Sequence, residues 1–378
     1  MPPQRQVAAG GSNQRQRSTT YVQLAVCSVL VLTNSANVIT LRVSRTHHDS
    51  ENSVPYIIAT AIIMAECIKI VLSTILYYRE YMSTMDAFDG ARSLLTFPGH
   101  LYHVIFVKWK DTLQLAVPGV IYFFQNSILV FALSKLDSVT FQISYQLKIL
   151  TTALFTVLVL KRTIPLIKWV ALSVLMMGVI LVQYPSEDTK TIDNSPDDIA
   201  ERQDAYGTAL GLLAVVAACL SSGFAGVYFE KVIQGQTTSL WLRNIQLALV
   251  AITLGLPSTF FQNWGAIRSR GGFFQGYNMH VWIAVFFQAI SGIAVALVIK
   301  YAGNLTKCLA SAVAIITSTL VSYFVLDDIT LTPQFVFGGI VVVAAVFLYN
   351  FGEVRSVGFC VYRSCRDYTS VNINSVYV

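Results

Sequence analysis

Charge is what this sequence has least of. Asp, Glu, Lys and Arg make up 12% of its 378 residues while hydrophobic residues make up 54%, and soluble domains carry about twice that charged share. A free globule of this composition could not stay dissolved, which excludes an ordinary soluble enzyme or binding module. Cysteine is sparse and unpatterned: Cys27, Cys67, Cys219 and Cys308 sit inside apolar runs, and Cys360 and Cys365 sit near the C-terminus. None has His partners at metal-ligand spacing, so no metal and no cofactor is expected. The apolar-run cysteines read as small packing residues, and the C-terminal pair as a palmitoylation candidate. Paired catalytic carboxylates are missing as well. Asp327 and Asp328 are adjacent and so cannot share a helical face, which leaves a membrane glycosyltransferase without its acids. The net charge of +6 comes with no basic, aromatic-interleaved patch, so nucleic acid is not an expected partner.

What the chain does have is long apolar runs. A spanning helix needs about 20 predominantly apolar residues, and runs of that kind lie at 21–42, 54–78, 113–133, 138–160, 165–184, 207–230, 240–261, 279–301, 305–326 and 332–352. The expected fold is therefore an all-α membrane protein of about ten transmembrane helices, with the lipid bilayer as its solvent. The polar segment 1–20 has no basic stretch leading into a short cleavable core, so the first span is expected to act as an uncleaved signal anchor. Residues 186–206, with Glu187, Asp188, Asp193, Asp197, Asp198, Glu201 and Asp204, read as a solvated acidic loop. That loop divides the chain into two five-helix repeats, 21–185 and 207–352, flanked by tails at 1–20 and 353–378.

Lys/Arg bias sets the expected orientation. With the N-terminus in the cytosol, Arg5, Arg15, Arg17, Arg79, Arg92, Lys108, Lys110, Lys161, Arg162, Lys168, Lys231, Arg243, Arg355, Arg363 and Arg366 share the cytosolic side, while Arg42, Arg45, Lys135 and Lys190 are among the lumenal ones. Both termini are thus expected in the cytosol. Lys148 and Lys307 recur in similar contexts, as do Gly178 and Gly338. An odd number of helices per half forces the halves into opposite orientations, the inverted-repeat plan of carriers whose solute site lies mid-membrane.

A charge inside a span costs several kcal/mol unless it has a partner or a wet cavity. Tyr122, Gln125 and Asn126 fall at i, i+3 and i+4, which stacks them on one face. The next span carries Gln142, Tyr145, Gln146 and Lys148, the lysine well inside the run. Asn304, Lys307 and Ser311 repeat the device in the ninth span. Two such lysines on equivalent helices suit a phosphate or pyrophosphate, which needs charge and several donors together. Glu66 and Lys69 are three apart and read as an internal ion pair or a gating element. Ser222, Gly223, Gly226 and Tyr228 bring small residues to one helix, as close packing requires.

These residues belong to longer motifs. Tyr122–Asn126 (YFFQN), Gln142–Leu150 (QISYQLKIL), Ser221–Lys231 (SSGFAGVYFEK), Trp241–Gln246 (WLRNIQ) and Lys300–Lys307 (KYAGNLTK) resemble, in order, the nucleotide-sugar transporters of the drug/metabolite transporter superfamily. The resemblance covers residues 21–352. It implies a ten-helix antiporter that brings a nucleotide sugar into the Golgi lumen and returns the nucleoside monophosphate. It also implies that Tyr122, Gln125, Asn126, Asn244 and Tyr145 line the nucleoside side, Ser222 the cavity wall, and Lys148 and Lys307 the phosphate. Ala248 stands where CMP-sialic acid carriers have Tyr, which favours uracil and hence UDP-sugar and UMP as cargo. Phe274–Asn278 (FQGYN), Trp282, Gln288 and Ser322–Phe324 (SYF) look most like UDP-N-acetylglucosamine carriers, with UDP-galactose carriers as near relatives. The resemblance leaves the protein partners open between a second copy of the chain and glycosyltransferases. Gly303 and Cys308 depart from the family pattern KYxDNIxKGF, which has an acid and a glycine there, and this puts the start of the ninth span in question.

Overall fold

The computed structural model describes residues 5–46, 56–83, 90–107, 109–183, 205–235, 238–269, 272–326 and 332–350. Residues 186–204 of the acidic loop, the Asp327–Asp328 pair and the C-terminal tail with Cys360 and Cys365 lie outside the described residues. Ten helical segments are long and apolar enough to cross a membrane, and each coincides with an expected span.

In chain order the helices are α1 (Arg5–Thr46), α2 (Ile58–Ser83), α3 (Gly90–Tyr102), α4 (Trp109–Leu133), α5 (Ser138–Tyr145), α6 (Lys148–Leu160) and α7 (Leu166–Gln183) in the first half. The second half holds α8 (Ala205–Gln234), α9 (Leu240–Ser269), α10 (Met279–Tyr301) and α11 (Asn304–Val321), then α12 (Pro333–Asn350). Three details differ from expectation. The helix α1 begins at Arg5, so the polar residues ahead of the first span continue its helix. The amphipathic α3 has no counterpart among the expected spans; with 13 residues it is too short to cross and carries Pro98 and His100. Its Phe97 ring packs among Tyr77, Tyr78 and Tyr81 of α2. The fourth span is divided at Gln146 and Leu147, where Gln146 and Leu147 donate to Ile143 and Ser144 carbonyls three residues back.

Packing runs between the halves rather than within them. The helix α1 packs on α10 and α11, and α8 packs on α4 and α6. Likewise α2 packs on α9 and α10, and α9 on α2 and α4. Exchanging α1 with α8, α2 with α9, α4 with α10 and α6 with α11 turns each of these contacts into a member of the same set, with the α2–α9 contact mapping onto itself. The helices α7 and α12 meet at the glycine pair noted in the sequence. A Cβ on Gly178 would lie 2.8 Å from Val342 Cγ2, and one on Gly338 would lie 2.8 Å from the Val182 nitrogen and 3.0 Å from the Gly178 carbonyl oxygen.

Burial follows the logic of lipid rather than water. Large apolar side chains face outward, among them Phe261, Leu158, Leu166 and Phe347, while alanines such as Ala153, Ala171, Ala218, Ala289 and Ala294 fill the interior. Lipid tails are as apolar as leucine, so helices here associate through close contact of small residues and through interhelical hydrogen bonds. On α8, a Cβ at Gly223 would meet the Thr151 carbonyl carbon at 2.9 Å, and one at Gly226 would meet Asn304 Nδ2 at 2.5 Å. That stripe lets α8 lie against both α6 and α11, the helices that carry Lys148 and Lys307.

Candidate functional site

The turn that divides α5 from α6 is held by neighbouring side chains. Gln146 Nε2 donates to Gln183 Oε1 of α7 at 2.7 Å, and the Cys219 thiol of α8 donates to the Tyr145 carbonyl at 3.5 Å. The Lys148 carbonyl accepts from both Thr151 and Thr152, at 3.1 and 2.7 Å. With its backbone fixed this way, Lys148 opens α6 half-buried, its ammonium 4.2 Å from the centroid of the Tyr145 ring. A cation over an aromatic face is favourable, the more so out of bulk water.

Tyr145 gathers the other polar groups. Phe141 stacks on its ring, with centroids 5.9 Å apart and planes within 10°. Gln125 of α4, 4% exposed, donates through Nε2 to the Tyr145 hydroxyl at 3.2 Å, and Ser222 of α8 bonds the same side chain. Gln125 Oε1 stays buried with no hydrogen-bond partner among the described residues. Tyr122, one turn earlier on α4, lies in electrostatic range of Lys307 and Cys308 of α11. Lys148 feels Cys308, Lys307 and Cys219, with no carboxylate among them. Two ammonium groups, one from each half, therefore act on one another beside an aromatic and amide wall. Like charges in range of one another repel, and an anion between them would offset that repulsion. The arrangement can hold an anionic group between the lysines and a planar one against Tyr145.

Of the residues selected from sequence, Tyr122, Gln125, Tyr145, Lys148, Ser222 and Lys307 come together. Asn126, on the same face of α4, is exposed. Asn244 is 1% exposed on α9, with Nδ2 unpartnered among the described residues. It sits between Arg243 and Gln246 in sequence, and these two are also fully buried. Arg243 donates to the Asp111 carbonyl at 3.2 Å and to Gln246 Oε1 at 3.3 Å, and Gln246 donates to Thr112 Oγ1 at 2.9 Å. This network ties the start of α9 to the start of α4. Glu66 and Lys69 form an ion pair at 2.6 Å with side chains 21% and 9% exposed. The lysine lies along α10 where Gly292 leaves room, a Cβ there falling 3.4 Å from Lys69 Cδ. Among the described residues no cluster of His, Cys, Asp and Glu could hold a metal ion.

Sequence reasoning missed two buried charges. Arg243 was counted among interfacial cations, and Glu230 stood unremarked inside a quoted motif; both are 1% exposed. Their signal was a charge within a span-length run. Glu230 also answers the question raised by Gly303. The helix α11 does start at Asn304, after Gly303 at φ +88° with no side-chain cap of its own. Glu230 supplies the cap from α8, its Oε2 accepting from the Asn304 amide at 2.9 Å.

A ten-span helical bundle in which half-buried lysines from the two halves act on one another beside a tyrosine and amide cluster suits a membrane carrier for an anionic solute. A family model described as nucleotide-sugar transporter matches residues 18–350. The UDP-N-acetylglucosamine transporter of Canis lupus familiaris is 42% identical over 323 residues, 85% of this chain and 93% of the relative. A UDP-N-acetylglucosamine/UDP-N-acetylgalactosamine transporter of Caenorhabditis elegans is 42% identical over 344 residues, covering 89% and 96%. The UDP-galactose translocator of Mus musculus is 38% identical over 353 residues, covering 92% and 83%. The chain belongs to the nucleotide-sugar transporter family, and it is a multi-pass membrane transporter rather than an enzyme.

Proposed function

We propose that this transporter exchanges a cytosolic UDP-sugar for lumenal UMP across the Golgi membrane, with UDP-N-acetylglucosamine as the favoured cargo. The observation that carries the reading is that Lys148 and Lys307, one from each half, lie in electrostatic range of one another, with Lys148 over the Tyr145 ring beside Gln125 and Ser222. Lys148 and Lys307 hold phosphate oxygens, Tyr145 and Tyr122 flank the nucleoside, and Gln125 with its unpartnered carbonyl offers hydrogen bonds to it. Ser222 closes that wall, and Asn126 and Asn244 are its further proposed members, Asn244 through an Nδ2 that has no partner among the described residues. The contact pattern that maps onto itself when the halves are exchanged supports two inverted five-helix repeats. Alternating access then follows from rocking one repeat against the other around the shared chamber. The Lys/Arg bias supports cytosolic termini. Glu66 and Lys69 serve as a partnered charge between α2 and α10, where an unpaired charge would be costly.

Ala248 in place of Tyr supports uracil recognition, and the UDP-sugar names of the relatives support the same cargo class. UDP-galactose is the second cargo, since a relative at 38% identity is a UDP-galactose translocator. Counterflow decides between them: purified protein in proteoliposomes loaded with UMP is offered labelled UDP-N-acetylglucosamine, UDP-galactose and CMP-sialic acid. Uptake of the first, driven by internal UMP and blocked by external UMP but not CMP or GMP, is expected. Uptake of only a CMP-sugar, or none, would overturn the reading.

A further inference from the structure

At one end of the bundle the Arg162 guanidinium joins the two halves, as that of Arg243 does between the starts of α9 and α4. Arg162 lies in the turn between α6 and α7, its side chain 54% exposed, and Glu230 of α8 faces it with 2% exposed. Arg162 Nη1 donates to Glu230 Oε1 at 2.9 Å, and Nη2 donates to Gln234 Oε1 at 2.8 Å. Both acceptors are committed to the turn that links α10 to α11. Glu230 Oε2 takes the Asn304 amide that opens α11, and Gln234 Nε2 donates to the Ile299 carbonyl at 2.9 Å near the end of α10. A carboxylate at a helix N-terminus is favoured by the exposed amides and the helix dipole. Here it comes from another helix because Gly303 has no side chain to offer, and a Cβ at that glycine would sit 3.0 Å from Glu230 Oε1. Lys307 lies one turn further along α11.

The arrangement has three consequences. Among the described residues the buried carboxylate has one cationic partner, the exposed Arg162 arm, so losing it leaves a charge in the interior without a counter-charge, which is costly. Opening the bundle at this end requires that arm to let go, because it spans the seam between the halves. The same carboxylate fixes the start of the helix that presents Lys307. A symmetric counterpart on α1 is ruled out by composition, since α1 contains no acidic residue.

We propose that Arg162, Glu230 and Gln234 form the latch of one gate, closed in this conformation, with Glu230 acting as a positioning residue for Lys307 through the start of α11. The proposal rests on the transport reading above and adds to it which contacts must break during alternation. Its test uses full-length protein in proteoliposomes with UMP inside and labelled UDP-N-acetylglucosamine outside, alongside equilibrium UMP binding in detergent. Arg162→Ala removes the exposed arm and leaves Glu230 in place. Removing a charged hydrogen bond of this kind is worth roughly tenfold, so saturating exchange is expected to fall by about that factor. The KM and the UMP dissociation constant are expected to rise by clearly less than that factor, since loosening the start of α11 weakens only the Lys307 share of binding. Arg162→Lys keeps the charge and is expected to recover part of the rate. Glu230→Gln keeps an acceptor for the Asn304 amide without the charge and is expected to match Arg162→Ala. Hydrogen exchange of the segment 303–307 is expected to quicken in both. Wild-type turnover in both variants, or UMP binding lost in proportion to turnover, overturns the latch. If Glu230→Gln does not fold, Arg162→Ala, altered only at the surface, decides alone. Wild-type protein that neither exchanges nor binds UMP overturns the transport reading and the latch with it, and this is seen before any variant is made.

Discussion

An ammonium 4.2 Å from the Tyr145 ring with a second lysine in range is tolerable only when something negative visits. Lys148→Ala is therefore expected to abolish UDP-sugar exchange while the protein still elutes as a folded species; retained exchange in proteoliposomes would refute the phosphate role. Tyr145→Phe tests the neighbouring wall. It deprives Gln125 of its partner and Ser222 of its own, and a buried hydrogen bond is worth about 1 kcal/mol, so UMP affinity is expected to weaken about fivefold by calorimetry. At this scale the sequence was informative where cost and spacing coincided: Lys148 is too deep to be accidental, and Tyr122 and Gln125 share a face. It was uninformative for Glu230 and Arg243. Their charges fall near span ends, where solvation is the ordinary outcome, and only the folding-back of the α10 to α11 turn and the packing of α9 on α4 bury them. Gln125 and Asn126 show the same limit: neighbours in one motif, one is buried and the other exposed.

The helices themselves were legible because lipid leaves few alternatives: each span-length apolar run had to become a helix to satisfy its own backbone. The amphipathic α3 escaped because it needs no such length; its identity depends on Phe97 and His100 finding the α2 tyrosines, with His100 Nε2 and the Tyr77 hydroxyl 2.9 Å apart. Two expectations belong to this scale. Asp137 caps α5, its carboxylate accepting from the Thr140 amide at 2.9 Å. Bonds from Thr140, side chain first, hold that carboxyl below its usual range. The depressed value means the cap contributes fully at neutral pH and is lost as pH drops below about 4. Asp137→Ala is expected to cost about 1 kcal/mol or less at this exposed site, read as a lower melting temperature at pH 7 that vanishes at acid pH. Gly338→Leu drives a side chain into the Gly178 carbonyl and the Val182 amide. Forcing α12 from α7 is expected to cost about 1–3 kcal/mol, visible as a melting-temperature loss in detergent, whereas Leu at the open position Gly207 is expected to change little.

For the molecule as a whole, a proposed site with two lysines that have no carboxylate partner among the described residues should resist turning over empty, since moving uncompensated charge through a low-dielectric interior is costly. Uptake into UMP-loaded vesicles is accordingly expected to exceed uptake into empty ones by at least about tenfold; equal rates would remove the reason for exchange. Ligand stabilisation gives an independent reading: at about 100 times its dissociation constant a bound nucleotide adds about 2.7 kcal/mol, so UMP is expected to raise the melting temperature and CMP to raise it far less.

The contacts of α1 carry a consequence for how the chain is made. Its polar side chains find their partners in the other half: Asn34 bonds Ser291, Asn37 donates to Gln288 at 2.6 Å, and Ser35 donates to the Ala314 carbonyl. Once in the bilayer, α1 must therefore wait without these partners until about 250 further residues have been synthesised. A nascent chain stopped before α10 would display those amides to lipid, a mark by which membrane surveillance could tell an unfinished carrier from a complete one.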